Sequence, residues 1–392
     1  MDDILSKEIK EMADMEFECS CGKQHKIEMK HIYVGEGVYI KILDVVKEIL
    51  PSKILLVSDN NTYEVLGKDV KSIIDESGYR AKNIILSSQG DLVPDERAIG
   101  RILVEVDDET ELIVAVGSGS INDISRMVSA RTKIPYVIIG TAPSMDGYAS
   151  TVSPLIIDGA KVTYPGTHPY AIIADTNIMK NAPFEMISAG FGDILGKYTA
   201  LSDWMLSHKI NDEYFCYTTE KLVRDAMNKC FDNIEGAVNR DPKAIGYIAE
   251  GLILSGIAMT LSDNSRPASG AEHHLSHYWE IDKLSRNKEH PLHGNSVGVG
   301  TIISAWIYND NELKVEEKYG IKVPTANEII KLLDCIGAKS SPKTLGIEKE
   351  LFHRSVIHAL EIRPRFTILQ YAKNENKLEE CADRLTNLFY GE

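Results

Sequence analysis

Four short runs of this chain are apolar throughout rather than on alternate residues, and an amphipathic stretch follows several of them. They are Lys53–Asp59 (KILLVSD) and residues 83–86 (NIIL), 111–117 (ELIVAVG) and 136–141 (YVIIGT). A strand that is apolar on both faces has to be covered on both, and a parallel sheet with crossover helices does this. Asp59-Asn60-Asn61 closes the first run as a turn, and a helical segment follows to about Tyr79. Pro94 opens a second helix (PDERAIGRILVEV). The rhythm predicts a Rossmann-like α/β domain over residues 1–180, which binds its ligand beyond the carboxyl ends of the strands.

Past a boundary between Met179 and Pro183 the pattern changes to a 3.6-residue period. Segments at 183–210, 212–239, 242–263, 294–309, 325–336 and 377–390 predict an all-helical domain over residues 181–392. A chain of 392 residues accommodates two such domains. The cleft between them is a natural place for a two-substrate reaction.

The net charge of −15 argues against non-specific nucleic-acid binding, which needs basic patches. A few local cations or a metal ion still allow a phosphorylated ligand. No apolar run approaches the roughly 18–20 residues of a membrane span. The acidic start, MDDILSKEIKEMADMEFE, lacks the order of a signal peptide. The expectation is a cytoplasmic protein without a membrane partner. Its six dispersed cysteines, Cys19, Cys21, Cys216, Cys230, Cys335 and Cys381, are then free thiols.

Gly117-Ser118-Gly119-Ser120 lies directly between a predicted strand and a predicted helix. Glycines let the backbone approach a phosphate, and free N–H groups at the helix start bind the anion. Ser120 is the expected helix cap, with Asp123 completing a capping-box-like arrangement. The full G-x-G-x-x-G fingerprint is missing, so a ligand-free tight turn stays open as an alternative. Asp59 is suited to ribose hydroxyls, or equally to capping a helix. The loop GTAPSMDGYAS adds Thr141, Ser144, Asp146 and Ser150 after the fourth run, either as ligand contacts or as local turn residues.

Five of the eleven histidines fall within residues 273–293. On a helix His273 and His277 share a face, whereas His274 points elsewhere. His293 precedes Gly294, where another helix begins. Asp193, acidic among small and apolar neighbours (AGFGDILGKYTAL), is the best additional ligand, because a buried carboxylate is costly unless paired. Asp plus two His with open positions suits Zn²⁺, Ni²⁺ or Fe²⁺ acting as a Lewis acid. Cys19-Ser20-Cys21 with His25 supplies at most three ligands, and is read as an unmetallated β-turn segment.

The motifs VGSGSINDISR, GTAPSMDGYAS, AIIADTNIM, SAGFGDILGKYTALSDW, SGAEHHLSHYWE and HGNSVGVGT follow one another in order between Asp59 and Thr301. Together they resemble the sn-glycerol-1-phosphate dehydrogenase family, most closely its bacterial branch. That family sits within the wider group of glycerol dehydrogenases, iron-type alcohol dehydrogenases and dehydroquinate synthases. The resemblance implies a dehydroquinate synthase-like fold and a homodimer. It implies NAD(H) or NADP(H) as cofactor with one divalent ion, Ni²⁺ or Zn²⁺ ahead of Fe²⁺. It further implies that Gly117, Ser118, Gly119, Ser120 and Ile121 meet the pyrophosphate. Thr141, Ala142, Pro143, Ser144 and Ser150 would meet the nicotinamide side, and Asp59 the adenosine ribose. Asp193, His273 and His293 would hold the metal, while Asp146, Asp193 and His277 contact a small phosphorylated polyol. Asp193 and His277 would be the catalytic pair. His274 beside His273 leaves the choice of ligand between them open. The implied reaction is reversible reduction of dihydroxyacetone phosphate to sn-glycerol-1-phosphate. The rivals are a glycerol or other alcohol dehydrogenase, a dehydroquinate synthase-like lyase, and an NAD-binding sensor without turnover. The Asp59 carboxylate leans toward NADH, since it repels a 2′-phosphate.

Overall fold

The computed structural model describes residues 3–87, 90, 92–286 and 288–391. Among the described residues ten strands lie within Glu16–Asp175: β1 (Glu16–Glu18), β2 (Gln24–Lys26), β3 (His31–Gly35), β4 (Lys53–Asp59), β5 (Ala81–Leu86), β6 (Thr110–Gly117), β7 (Tyr136–Gly140), β8 (Val152–Ile157), β9 (Ala160–Pro165) and β10 (Ala171–Asp175). Six of them form one parallel sheet in the order β3-β10-β7-β6-β4-β5. The helices of this part are α1 (Ile42–Ile49), α2 (Asn60–Thr62), α3 (Lys68–Glu76), α4 (Glu96–Leu103) and α5 (Gly119–Thr132).

The four apolar runs are β4 to β7, and they are buried on both faces for the reason the sequence suggests. Ile54 and Leu56 pack with Val45 of α1 and Ile74 of α3 on one face. Leu55 and Val57 pack with Ile102 of α4 and Ile124 of α5 on the other. The helices after β4 and β6 therefore lie on opposite faces while these two strands are neighbours. That divergence opens a crevice between Asp59 and Gly117, the topological switch point of the sheet.

Two strands are missing from the expected pattern. β3 is a half-buried edge without clean alternation, and β10 (AIIAD) is a five-residue run, fully buried. The antiparallel pair β8–β9 is also unanticipated. It turns at Asp158-Gly159, both at positive φ, as a two-residue hairpin turn requires.

From Thr176 onward the described residues contain helices and no strand. They are α6 (Thr176–Met179), α7 (Phe184–Asn211), α8 (Tyr217–Asp232), α9 (Ile234–Val238), α10 (Pro242–Leu261), α11 (Ala271–Ser285), α12 (His293–Tyr308), α13 (Val315–Tyr319), α14 (Ala326–Cys335), α15 (Lys349–His358), α16 (Ile368–Asn374) and α17 (Leu378–Tyr390). The helix expected from 212 begins only at Tyr217. Asp212 takes a left-handed turn that ends α7, and the Cys216 sulfur accepts the Thr219 N–H to cap α8. The reading that no run is long and apolar enough for a membrane span needs correction. α10 passes on length and composition, yet it is largely buried against α7 and α8 as a core helix.

The capping prediction at the glycine-rich turn is also corrected. α5 starts at Gly119, so Ser120 lies inside it, and the N-cap position belongs to Ser118. Asp123 is instead bound by buried Arg126 at 2.7 Å, and the same guanidinium donates to Val152 O. Residues 3–30 lie outside the six-stranded sheet. The hairpin β1–β2 sets Phe17 and Cys19 against Trp204, Phe215 and Val223 of the helical part.

Candidate functional site

α7 and α12 cross at unusually close range because glycines line the contact. A Cβ on Gly294 would fall 1.8 Å from Ala189 O, and one on Gly192 would fall 2.5 Å from Gly294 O. The crossing brings Asp193, in α7, beside His293, the first residue of α12. α11 adds His273. One donor atom from each of Asp193, His273 and His293 lies within 4.8 Å of the others. His273 Nε2 is 3.8 Å from Asp193 Oδ1, and the His273 and His293 rings are 5.2 Å apart.

Glu272 makes this arrangement directional. Its Oε1 accepts from His273 Nδ1 at 2.8 Å, while Thr199 Oγ1 donates to its Oε2 at 2.6 Å. With Nδ1 carrying the proton, the His273 lone pair sits on Nε2 and faces Asp193. A carboxylate behind a histidine fixes a metal ligand in this way. Burial pushes His273 well below its usual range, helped by the Lys197 charge, and pushes His293 down to about 4. Both rings are neutral at pH 7 and offer lone pairs. A neutral imidazole pair with one carboxylate fits a divalent ion.

Lys197, one turn after Asp193, donates to Asp193 Oδ1 and Asp146 Oδ2, both at 2.7 Å. Burial works against the ammonium, but the two carboxylates hold it above its ordinary range. Burial and the neighbouring Asp146 raise Asp193 to about 6, against the pull of Lys197. Asp146 comes from the loop after β7, so the α/β part and the helical part meet here. Its backbone N–H donates to Asp193 Oδ2 at 3.0 Å, and Ser255 Oγ donates to its carboxylate at 2.9 Å.

His277 shares the cluster, its ring 5.7 Å from that of His293 and 6.2 Å from that of His273. Its Nδ1 faces Glu280 Oε2 at 3.6 Å, and Lys161 of β9 binds the same oxygen at 2.5 Å. Burial lowers His277 to about 4 despite Glu280. His274 faces the other way. It is fully buried, and neither ring nitrogen has a hydrogen-bond partner among the described residues. Burial, then the charges of Arg365 and Arg363, lower it to about 3. Arg363 is half-buried and has no ion pair among the described residues, and its charge also bears on His273.

At the sheet, Gly119, Ser120 and Ile121 form the first turn of α5, whose N–H groups have no helical acceptors. Ser118 Oγ and Ser144 Oγ are 2.8 Å apart, and Thr141 N donates to Gly117 O. Ala142 O accepts from Tyr148 Oη, and Pro143 O abuts Gly190 of α7. The two loops thus form one rim over the carboxyl end of β6. Ser150 closes its own turn with Val152. Asp59 caps α2, its Oδ1 accepting from Thr62 N at 2.8 Å.

The sequence reading did not identify Glu272, Ser255, Glu280, Lys161 or Arg363. Only Glu272 carried a signal, as the acid directly before His273.

A family model described as iron-containing alcohol dehydrogenase matches residues 33–183. A glycerol-1-phosphate dehydrogenase (NAD(P)+) of Halalkalibacterium halodurans is 35% identical over 95% of this chain and 98% of its own length. One of Geobacillus stearothermophilus is 32% identical over 94% and 98%. Among solved structures, a probable glycerol dehydrogenase from Sinorhizobium meliloti superposes with a TM-score of 0.70 over 92% of this chain and 98% of that one. At 16% identity it speaks for the fold alone.

Proposed function

The chain belongs to the glycerol-1-phosphate dehydrogenase family, and from that premise we propose that it interconverts dihydroxyacetone phosphate and sn-glycerol-1-phosphate with NAD(P)(H). The observation that carries this reading is the gathering of Asp193, His273 and His293 donors within 4.8 Å, where the loop bearing Asp146 meets α7. Residues 1–180 are assigned to the dinucleotide and residues 181–392 to metal and substrate. The molecule is read as a cytoplasmic homodimer, and its six thiols suit a reducing compartment.

Asp193, His273 and His293 would hold the divalent ion, Ni²⁺ or Zn²⁺ ahead of Fe²⁺. When bound, the ion supplies Lewis-acid polarisation of the substrate carbonyl and the dinucleotide supplies the hydride. The rim of Gly117 to Ile121 and Thr141 to Ser144 holds the pyrophosphate and nicotinamide, the free N–H groups of α5 meeting the anion. Asp59 faces the ribose side with a carboxylate that favours NADH. Asp146, fixed by Lys197 and Ser255, positions the polyol. His277, neutral at pH 7, would relay a proton taken from solvent to the substrate oxygen, its ring lying beside Glu280. The phosphate end is assigned to Arg363, a half-buried guanidinium without a carboxylate among the described residues.

NADH oxidation in metal-supplemented buffer tests this. Dihydroxyacetone phosphate is expected to be reduced with a far higher kcat/KM than dihydroxyacetone. Arg363→Ala should raise KM for the phosphorylated substrate by about tenfold or more, equivalent to about 1.4 kcal/mol, and leave dihydroxyacetone unaffected. Equal use of both substrates would overturn the phosphate assignment and favour a plain glycerol dehydrogenase.

A further inference from the structure

The N-terminal Cys19-x-Cys21 and His25 supply three ligands by themselves, and the fold brings a fourth. Cys216, 197 positions from Cys19, caps α8 directly opposite the hairpin. One donor atom from each of the four lies within 4.8 Å of the rest. Three of the six edges lie close to those of a coordination tetrahedron. Cys19 Sγ–Cys216 Sγ is 3.6 Å, Cys216 Sγ–His25 Nε2 is 3.7 Å and Cys21 Sγ–His25 Nε2 is 3.3 Å. Zinc with Zn–S of about 2.3 Å and Zn–N of about 2.0–2.1 Å requires S···S edges of about 3.8 Å and S···N edges of about 3.5 Å.

We propose that Cys19, Cys21, His25 and Cys216 form a second metal site, a closed tetrahedral Cys₃His centre for zinc that fastens the N-terminal hairpin to the helical part.

Backbone and side-chain groups converge on the three sulfurs. Thr219 N–H donates to Cys216 Sγ at 3.4 Å, at the positive end of α8. The backbone N–H groups of Cys21 and Lys23 point at the sulfurs of Cys19 and Cys21. Tyr214 Oη stands 3.2 Å from Cys21 Sγ, and Cys19 Sγ donates to Thr218 Oγ1 at 3.4 Å. Gly22, at φ +85°, allows the tight return that brings His25 back toward Cys21. Such outer contacts orient coordinating sulfurs. The hairpin also needs an anchor. Its strands are three residues each, mostly exposed, and a two-stranded ribbon of that size is not stable alone. All four ligands are protein groups with no open position, so the centre is structural. It contains three sulfurs, whereas the Asp193 site contains none.

That difference supplies the test. Full-length His273→Ala protein, disabled at the other site, is expected to retain one equivalent of zinc by elemental analysis. After cobalt exchange it should show intense near-ultraviolet sulfur-to-cobalt charge transfer, which an Asp/His site cannot produce. Cys216→Ser in the same background should lose both. If that variant fails to fold, titrating the parent with an organomercurial while a chromogenic chelator reports zinc gives the same answer. One zinc is expected to leave as three thiols are blocked. A His273→Ala protein without zinc, whose cobalt form has no charge-transfer band, would overturn the proposal. So would a Cys19–Cys216 disulfide found by mass spectrometry of the unreduced protein.

Discussion

Three demands meet at Asp193. It must lie buried, accept from Lys197 and the Asp146 backbone, and face two imidazoles. As a proposed ligand it cannot be replaced by its own amide. Asn keeps the size but turns a donor toward Lys197 and loses the charge that an ion needs. Asp193→Asn, His273→Ala and His293→Ala are each expected to abolish activity and to lower bound metal below a tenth of an equivalent at this site. His274→Ala should keep the metal. Elemental analysis of the purified variants decides it, and the reverse result for the two adjacent histidines would move the ligand to His274. The sequence marked His273 and His293 by clustering, and Asp193 by its apolar setting. It could not choose between His273 and His274, because that choice depends on Glu272 holding Nδ1 of one ring and not the other. Arg363 was beyond reach for another reason. Its proposed role rests on the lack of a carboxylate partner among the described residues, which only packing reveals.

Among the elements, α7 and α12 set the distances on which the site depends. Gly294 contributes no side chain, and the space a methyl would take is filled by Ala189 O. Gly294→Ala must push the helices apart, at a cost of about 1–3 kcal/mol for overpacking. It should also displace the adjacent His293, so metal affinity falls together with the thermal midpoint. Gly100→Ala in α4, where a Cβ meets nothing within 4 Å, is the contrast. It should be neutral or stabilising by up to about 1 kcal/mol. Calorimetry with and without metal separates the two effects. The strands of the βαβ run were legible because continuous apolar stretches have one common solution. β3 was not, since a half-buried edge lacks clean alternation, whereas β10 has the same short, fully buried form as β7 and was legible by the same rule. Cys216 was hidden for another reason. A 3.6-residue pattern carried the helix back to 212, and only the left-handed turn at Asp212 exposes the cap four residues later.

At the level of the whole molecule, the β8–β9 hairpin reaches across the cleft. Lys161 of β9 binds Glu280 of α11, and both side chains are mostly buried. Burial would raise the Glu280 carboxyl, but His277 and Lys161 outweigh it and hold it well below its ordinary 4.5. A carboxyl depressed in the folded state stabilises fully above its unfolded pKa and loses that contribution as pH falls toward the folded one. Glu280→Gln should therefore cost about 1.5–3 kcal/mol near pH 7, with the gap to the parent narrowing below about pH 4.5. Denaturant midpoints at pH 7, 5 and 4 check this, and a gap that widens on acidification would contradict it.

Asp146 belongs to the loop after β7, yet its N–H is bonded to Asp193 and its carboxylate to Lys197, both on α7. On the time axis this makes the seam between the two parts a latch. An ion held by Asp193, as proposed, would escape only during excursions that first undo those bonds, and its rate of escape would be a clock for opening. In excess chelator, loss of the ion from this site is expected to be first order and independent of chelator concentration, and several-fold slower with dinucleotide bound. A rate that climbs with chelator would mean that the ion is reached through the closed cleft.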